Sequence, residues 1–509
     1  MTQQATPGRI SPEELIALAL DPGSFRTWDR PLPRLAIEEG YAEELAAAKA
    51  KSGRDESIIT GEGCIEGRRV AVILSEFTFL GGSIGVSAAT RITEAIEKAT
   101  HLGLPLLASP VSGGTRMQEG TAAFVQMARI TAAVNAHKRA RLPYLVYLRH
   151  PTTGGVFASW GSLGHVTAAQ PQAMIGFLGP KVYKALFGKE FPAGVQQSEN
   201  LHRHGKIDAV THPRHLRKFI IGILTVLNAN PDELRTGNHP DSAPAVDDAD
   251  TGARETQSWP AVTASRLPLR PGLRDFLRLA AGDLVPLGGT AGESPKTLAI
   301  ALATIGGRGT VVVGLDRKGA DGGATFGPAE LREARRGMDL AEALGLPLLT
   351  VIDTPGAELS KEAEEGGLGQ EIALTLAKLL DLRVPTMTLL LGQGAGGGAL
   401  ALFPTDRIVA FSNSWLAPLL PEGASAIVHG NTRHAGAMAQ QQRVSASAMF
   451  QDGLLDEVLE EPDSFQARSA NIFLAKAASA VDQHLRDIAT TDLDVLIKDR
   501  SRRYVPGRP

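Results

Sequence analysis

Two glycine-rich turns carry the residues best placed to do chemistry. Arg141 to Ser159 reads RLPYLVYLRHPTTGGVFAS, and Arg383 to Leu402 reads RVPTMTLLLGQGAGGGALAL. In each, an apolar run leads into glycines and then into small residues. The run reads as a buried parallel strand, and the small residues as a helix. Glycines at such a junction let the backbone come close to a ligand, and the first N–H groups of a helix have no partner within it. The chemistry this predicts is stabilisation of negative charge by backbone donors, without a reactive side chain.

Other patterns carry less. Gly392-Gln393-Gly394-Ala395-Gly396-Gly397 fits a dinucleotide fingerprint, but no acid stands on the next strand and the first half has no counterpart. Gly81-Gly82-Ser83-Ile84-Gly85 has the spacing of a nucleophile elbow. No Asp and His complete it, so Ser83 reads as a turn residue. His202 and His204 read as solvated rather than as metal ligands. Cys64 reads as a small hydrophobe, and Asp353, before Thr-Pro-Gly, as a turn cap.

The 509 residues include 43% hydrophobic and 21% charged side chains, an ordinary globular balance. A net charge of −3 argues against nucleic acid as the main partner. With a single cysteine no intramolecular disulfide can form, and a reducing cytoplasm is the expected location. The N-terminus lacks the pattern of a secretory signal, and no run of about 18 apolar residues predicts a membrane span.

Strands and helices must alternate to position the turns. The pattern predicts strands over 69–76, 104–110, 310–315, 347–352 and 386–391, and helices over 88–102, 118–139, 328–344 and 371–382. Ser11-Pro12-Glu13-Glu14 is a helix start, and Tyr41 to Lys51 a second helix. The expected organisation is an N-terminal helical segment over 1–56, a first domain over 57–235, a polar linker over 236–262, a second domain over 263–490 and a tail over 491–509.

The two domains are copies. Leu102-Gly103-Leu104-Pro105-Leu106-Leu107 recurs as Leu344-Gly345-Leu346-Pro347-Leu348-Leu349, and the offset, 344 minus 102, is 242. The same offset carries Gly85 to Gly327, Gly114 to Gly356, Arg141 to Arg383, Pro143 to Pro385, and Gly154-Gly155 to Gly396-Gly397. A shared register over more than 70 residues marks a duplication. The run of three glycines leaves the second turn open to a shift of one residue.

These residues also resemble a known family. Gly81–Gly85, the run Ser112-Gly113-Gly114-Thr115-Arg116-Met117-Gln118-Glu119-Gly120, Pro151–Val156, Ile175–Phe177 and the 192–210 region resemble the β subunit of bacterial acetyl-CoA carboxylase carboxyltransferase. Phe326-Gly327, Ile352–Ala357, Gly392–Leu402, Pro421-Glu422-Gly423 and Gly453–Asp456 resemble its α subunit. A fused chain of this order is similar to acyl-CoA carboxylase β chains such as the propionyl-CoA enzyme.

The resemblance implies an α/β fold of two tandem crotonase-like domains, each a ββα superhelix. The chain departs from the family in lacking the β subunit's four-cysteine zinc ribbon, in Gly164-His165 where the family has Gly-Asp, and in Lys318-Gly319-Ala320-Asp321 where it has Lys-Gly-Arg-Asp.

The implied reaction moves a carboxyl group from carboxybiotin, carried on a separate protein, to acetyl-CoA, giving malonyl-CoA. Propionyl-CoA or another acyl-CoA is the alternative substrate, and a non-catalytic paralogue that binds CoA or carrier is a further alternative. The implied partners are a biotin carboxylase and a biotin carboxyl carrier protein, in an assembly of at least two copies of this chain; no metal is implied. By the resemblance, Gly154 and Gly155 hold the enolate oxygen, and Gly397 and Gly398, with Ala399, the biotin ureido oxygen. Gly113, Gly114, Gly356 and Ala357 supply further donors, and Arg116 contacts a CoA phosphate.

Overall fold

The structure, a computed structural model, describes residues 8–31, 39–177, 183–184, 188–229, 258–288, 297–318, 326–358, 360–462 and 464–504. They fall into two compact units, one from the described residues of 1–221 with Gly288, the other from those of 222–287 and 297–504. Among the described residues no helix is long and apolar enough to cross a membrane.

In the first unit the predicted helix start is a capping box: Ser11 Oγ accepts the Glu14 N–H at the head of α1 (Pro12–Ala19). Arg26–Thr27 (β1) adds an edge strand and Glu39–Ser52 forms α2. A hairpin follows, β2 (Ile58–Ile65) against β3 (Arg68–Ser75). Then α3 (Val86–His101), β4 (Leu106–Ser109), α4 (Gly120–Phe124), α5 (Gln126–Arg139) and β5 (Tyr144–Leu148) complete the alternation. Beyond β5 lie β6 (Thr152–Thr153), β7 (Val166–Ala169), β8 (Ile175–Gly176) and β9 (Ala209–Val210). The sheet order is β1-β2-β3-β4-β5-β7-β9, parallel from β3 onward. All five residues of β5 are buried, as a strand covered on both faces requires.

The second unit repeats this plan. Ser258–Ser265 (α6) and Leu273–Ala280 (α7) lead into β10 (Ala281–Leu287) and the hairpin β11 (Leu298–Ile305) with β12 (Arg308–Leu315). Then come α8 (Pro328–Leu344), β13 (Leu348–Thr354), α9 (Leu368–Asp381), β14 (Thr386–Ala395), α10 (Gly396–Leu400) and β15 (Arg407–Phe411). The strands β12, β13, β14 and β15 are parallel neighbours in that order.

Several expectations are corrected. The helix expected over 118–139 is broken, because Gly120 at φ +55° ends a 3-10 turn over Met117–Glu119. The first glycine turn is followed by single 3-10 turns, Gly154–Val156 and Trp160–Ser162, rather than an α-helix. The second is followed by only five helical residues. Residues 258–262, expected as linker, belong to α6; residues 236–257 and 319–321 lie outside the described residues. The expected tail contains α11 (Leu493–Arg502), capped by Asp492. Its Arg500 is fully buried, with Nε and Nη2 on the Asp406 carboxylate at 2.8 and 2.9 Å and Nη1 on the carbonyls of Leu379 and Leu382 that end α9.

Candidate active site

Each unit brings two turns into contact at the ends of its central parallel strands. In the first, Ser112 Oγ accepts the Gly114 N–H at 2.9 Å, and Gly114 sits at φ +119°. The Gly113 N–H donates to the Gly81 carbonyl at 2.8 Å. Thr115 bridges Ile84 in parallel register: the Ile84 N–H donates to the Gly114 carbonyl and the Arg116 N–H to the Ile84 carbonyl, both at 3.0 Å. The second turn locks onto this one, with the Thr153 N–H on the Ser112 carbonyl at 2.9 Å. Gly154 turns at φ +65°, and a Cβ there would lie 3.1 Å from Gly114 Cα.

The second unit repeats the hydroxyl tie and the parallel bridge at the offset of 242, with Pro355 in the place of Gly113. Thr354 Oγ1 accepts the Gly356 N–H at 3.2 Å, with Gly356 at φ +127°. Ala357 bridges Phe326, and the Glu358 N–H donates to the Phe326 carbonyl at 2.8 Å. Gly396 turns at φ +77°. The register left open by three glycines is thereby fixed: Gly396 matches Gly154, Gly397 matches Gly155, and Gly398 matches Val156. The third glycine has a steric cause. Val156 packs in a core with Ile84, whereas the residue matching Ile84 is Phe326, whose ring would lie 1.6 Å from a Cβ on Gly398.

Hydrogen bonding separates spent donors from available ones. The N–H groups of Gly113, Gly114 and Gly356 are bonded as described, and the Gly154 N–H donates to the Phe177 carbonyl at 3.2 Å. Gly154 is therefore a conformational residue, and its expected donor role is corrected, as are those of Gly113, Gly114 and Gly356. Ala399, the fourth residue of α10, is the first whose N–H the helix itself uses. The N–H groups of Gly397 and Gly398 precede it and have no partner within the helix; Gly155's has none within its 3-10 turn. The bridges leave the N–H groups of Thr115 and Ala357 unused. Thr115, Gly155, Ala357 and Gly397 are all partly exposed, while Gly114, Gly356, Gly398 and Ala399 are buried. The reachable donors thus form two pairs, 115 with 155 and 357 with 397. Sequence reading missed Thr115, although the offset of 242 maps Ala357, which the resemblance had named, onto it. The two residues of the first pair are adjacent: a Cβ on Gly155 would lie 3.0 Å from Thr115 Oγ1.

Charged groups support the turns from behind. Arg116, expected at a CoA phosphate, is 1% exposed and cannot reach a ligand in solution. Its guanidinium pairs with Glu56 at 2.5 and 2.9 Å and donates to the Ser83 carbonyl at 2.9 Å; its Nε meets Ser83 Oγ at 3.4 Å, where a nucleophile elbow would need a histidine. In the second unit Asp353 is fully buried, receives Arg317 Nε at 2.8 Å and accepts the Gln393 N–H at 3.1 Å. Burial pushes its carboxyl up to about 6, against the pull of Arg317 and the Gln393 N–H. It therefore steadies the strand before the second turn, a larger role than a turn cap. Gly392 is required beside it, since a Cβ there would lie 2.4 Å from Asp353 Oδ1.

His165 explains the departure from Gly-Asp. Its Nδ1 accepts the Tyr144 N–H at 3.1 Å, the bond that Asp406 Oδ2 makes with the Thr386 N–H at 2.7 Å in the second unit. Asp406 is neutralised by Arg500, whereas burial pushes the His165 ring down to about 3 and keeps it neutral. Among the described residues no group of three His, Cys, Asp or Glu side chains is placed to hold a metal ion.

Residues 3–499 match the carboxyl transferase domain family. The chain belongs to the carboxyl transferase family. Among its relatives, the probable biotin-dependent acyl-coenzyme A carboxylase beta3 subunit of Mycobacterium tuberculosis is 53% identical over 92% of this chain and 94% of that protein. The acetyl-coenzyme A carboxylase carboxyl transferase subunits beta/alpha of Saccharopolyspora erythraea are 35% identical, over 97% and 88%. Among solved structures, the transcarboxylase 12S hexamer crystallised with methylmalonyl-coenzyme A superimposes with a TM-score of 0.74, covering 94% of this chain and 90% of that one at 22% identity. The fold of this carboxyl transferase is thus the two-domain crotonase-like α/β fold expected from the resemblance.

Proposed function

We propose that the chain is the carboxyltransferase subunit of a biotin-dependent acyl-CoA carboxylase. The observation that carries this reading is the pair of matched donor sets, Thr115 with Gly155 and Ala357 with Gly397, each reachable from solvent at the end of a parallel sheet. A carboxyl transfer between an acyl-CoA and a biotin needs two anion sites, one for a thioester enolate and one for a ureido oxygen. The Thr115 and Gly155 N–H groups hold the enolate oxygen. The Ala357 and Gly397 groups, with Gly398 behind them, hold the ureido oxygen. A side chain on Gly397 would crowd Ile372, with its Cβ 3.1 Å away, so the second turn keeps a bare backbone. Carboxybiotin, delivered on a separate carrier protein, supplies the carboxyl group and a nitrogen that accepts the acyl proton. This chain's residues bind, orient and stabilise charge; none forms a covalent bond to substrate. The turns lose no reorganisation energy at the moment of reaction, since Ser112 and Thr354 hold them in place beforehand.

The acyl group we propose is acetyl, as the name of the 35% relative suggests, giving malonyl-CoA; its use in fatty-acid synthesis and a cytoplasmic location are part of the same proposal. The 53% relatives are named for an acyl-CoA without specifying the chain, which favours a second reading in which propionyl-CoA or a longer acyl-CoA is used. We further propose that the chain works as a homo-oligomer with a biotin carboxylase and a biotin carboxyl carrier protein. The test is the reverse reaction: purified chain, free biocytin, and malonyl-CoA or methylmalonyl-CoA, with release of the decarboxylated CoA ester followed. Faster turnover of malonyl-CoA supports acetyl; faster turnover of methylmalonyl-CoA moves the substrate to propionyl. A folded oligomer inert with every acyl-CoA contradicts the reading.

A further inference from the structure

The structure joins the N-terminal helical segment to the first anion site through a buried ionic knot. Tyr41, on α2 and 9% exposed, donates its hydroxyl to Glu119 Oε1 at 2.5 Å. Arg116 Nη1 donates to the same hydroxyl at 3.2 Å. Glu119 Oε2 accepts the Val86 N–H at 2.5 Å, placing a carboxylate at the positive end of the 16-residue α3. Four segments therefore meet around one guanidinium: α2 through Tyr41, the corner before β2 through Glu56, the Ser83–Val86 turn, and the 116–119 stretch. Gly85 is required there, since a Cβ would lie 2.2 Å from Glu119 Oε1 and 2.8 Å from Arg116 Nη1.

The knot acts on a donor of the site. Thr115 lies between Gly114 and Arg116, and both neighbours are tied to Ile84 by backbone bonds at 3.0 Å. Movement of the Arg116 side chain moves the strand that aims the Thr115 N–H. Among its described residues the second unit does not repeat this device: the residue matching Arg116 is the exposed Glu358, and that matching Glu119 is the exposed Lys361. Burial works against the charge of Arg116, and the Glu56 carboxylate more than restores it, so the guanidinium stays charged. Burial and the Glu119 hydrogen bond both hold the Tyr41 hydroxyl protonated, as a donor must be.

We propose that Tyr41, Glu119 and Arg116 are positioning residues for carboxyl transfer, which set the Thr115 donor by locking α2 onto the first turn. The proposal rests on the acyl-CoA reading for its kinetic arm only. The test uses the full chain and two variants, Tyr41→Phe and Glu119→Gln, each removing one hydroxyl or one charge without changing shape. Amide hydrogen exchange followed by mass spectrometry reads the first site with no substrate present. Faster exchange over 111–119 in both variants, with 350–360 unchanged, is expected; unchanged exchange over 111–119 overturns the proposal. In the reverse assay, kcat per folded molecule falls about tenfold, the rate equivalent of one charge-assisted hydrogen bond, while the KM for biocytin holds. A purely structural role predicts instead a lower melting temperature with kcat per folded molecule preserved, and that result overturns it. If wild-type protein turns over no acyl-CoA, the functional reading falls while the exchange arm still decides the positioning role.

Discussion

The two glycine turns share one backbone and differ in what stands behind it. In both, a Ser or Thr hydroxyl ties off a glycine at φ above +110° and a parallel bridge frees the next N–H. Behind the first turn sits a buried arginine between two carboxylates; behind the second, Arg317 pairs with a buried Asp353, whose counterpart at the same offset is the apolar Val111. Duplication preserved the donors and let the supports diverge. On the proposed function the backbone geometry is set by the charge it would hold, whereas the supports need only keep it still.

The largest effect is expected where the turns differ in volume. Gly398→Val forces a side chain into the Phe326 ring and should destabilise the second unit by at least about 3 kcal/mol in denaturant unfolding. Adding Phe326→Ile, which recreates the Val156–Ile84 pair, should recover more than half of that loss. If the double variant is no better than the single, the steric account of the third glycine is wrong.

The next contrast lies in the supports. Asp353→Ala leaves Arg317 Nε and the Gln393 N–H without their buried acceptor and should cost about 3 kcal/mol. Val111→Ala, at the matching place, deletes only apolar contacts and should cost about 1 kcal/mol. Equal costs would mean that the ion pair does not support the second turn.

Where the turns agree, the effects should agree. Gly114→Ala and Gly356→Ala both place a side chain at φ above +110° and should each cost about 1–3 kcal/mol, within about 1 kcal/mol of one another. A large disparity in thermal unfolding would break the equivalence.

The smallest effect is one of pH. The His165 ring is held near 3 in the fold against 6.5 as its ordinary value, so protonation favours the unfolded chain. The stability of the neutral ring is full above about pH 6.5 and is lost as the pH falls toward 3, by at most about 1.4 kcal/mol per unit. His165→Asn keeps an acceptor for the Tyr144 N–H without a titrating group. It should match wild type at pH 7.5 and overtake it by pH 5 in urea midpoints; parallel midpoints across this range would rule the account out.

Much of this was legible in the residues. The offset of 242 gave both turns their places, and the alternation of apolar runs with helix signals located β5, α8 and β14 to within a few residues. What escaped were facts of pairing rather than of type. Whether the Gly154 N–H or the Thr115 N–H is spent depends on Phe177 and Ile84, remote partners that no spacing announces. The resemblance put Arg116 at a CoA phosphate; its burial follows from Glu56, 60 residues earlier. The segment expected as a tail is held in place by Arg500, which Asp406, 94 residues away in sequence, draws in.

The central claim is that each turn supplies one anion site of a carboxyl transfer. The most direct measurement compares wild type with Gly155→Val and Gly397→Val in transfer from the preferred carboxylated acyl-CoA to free biocytin, with folding checked by circular dichroism. Loss of at least about 100-fold in each folded variant is predicted. Full turnover in either folded variant would contradict the claim.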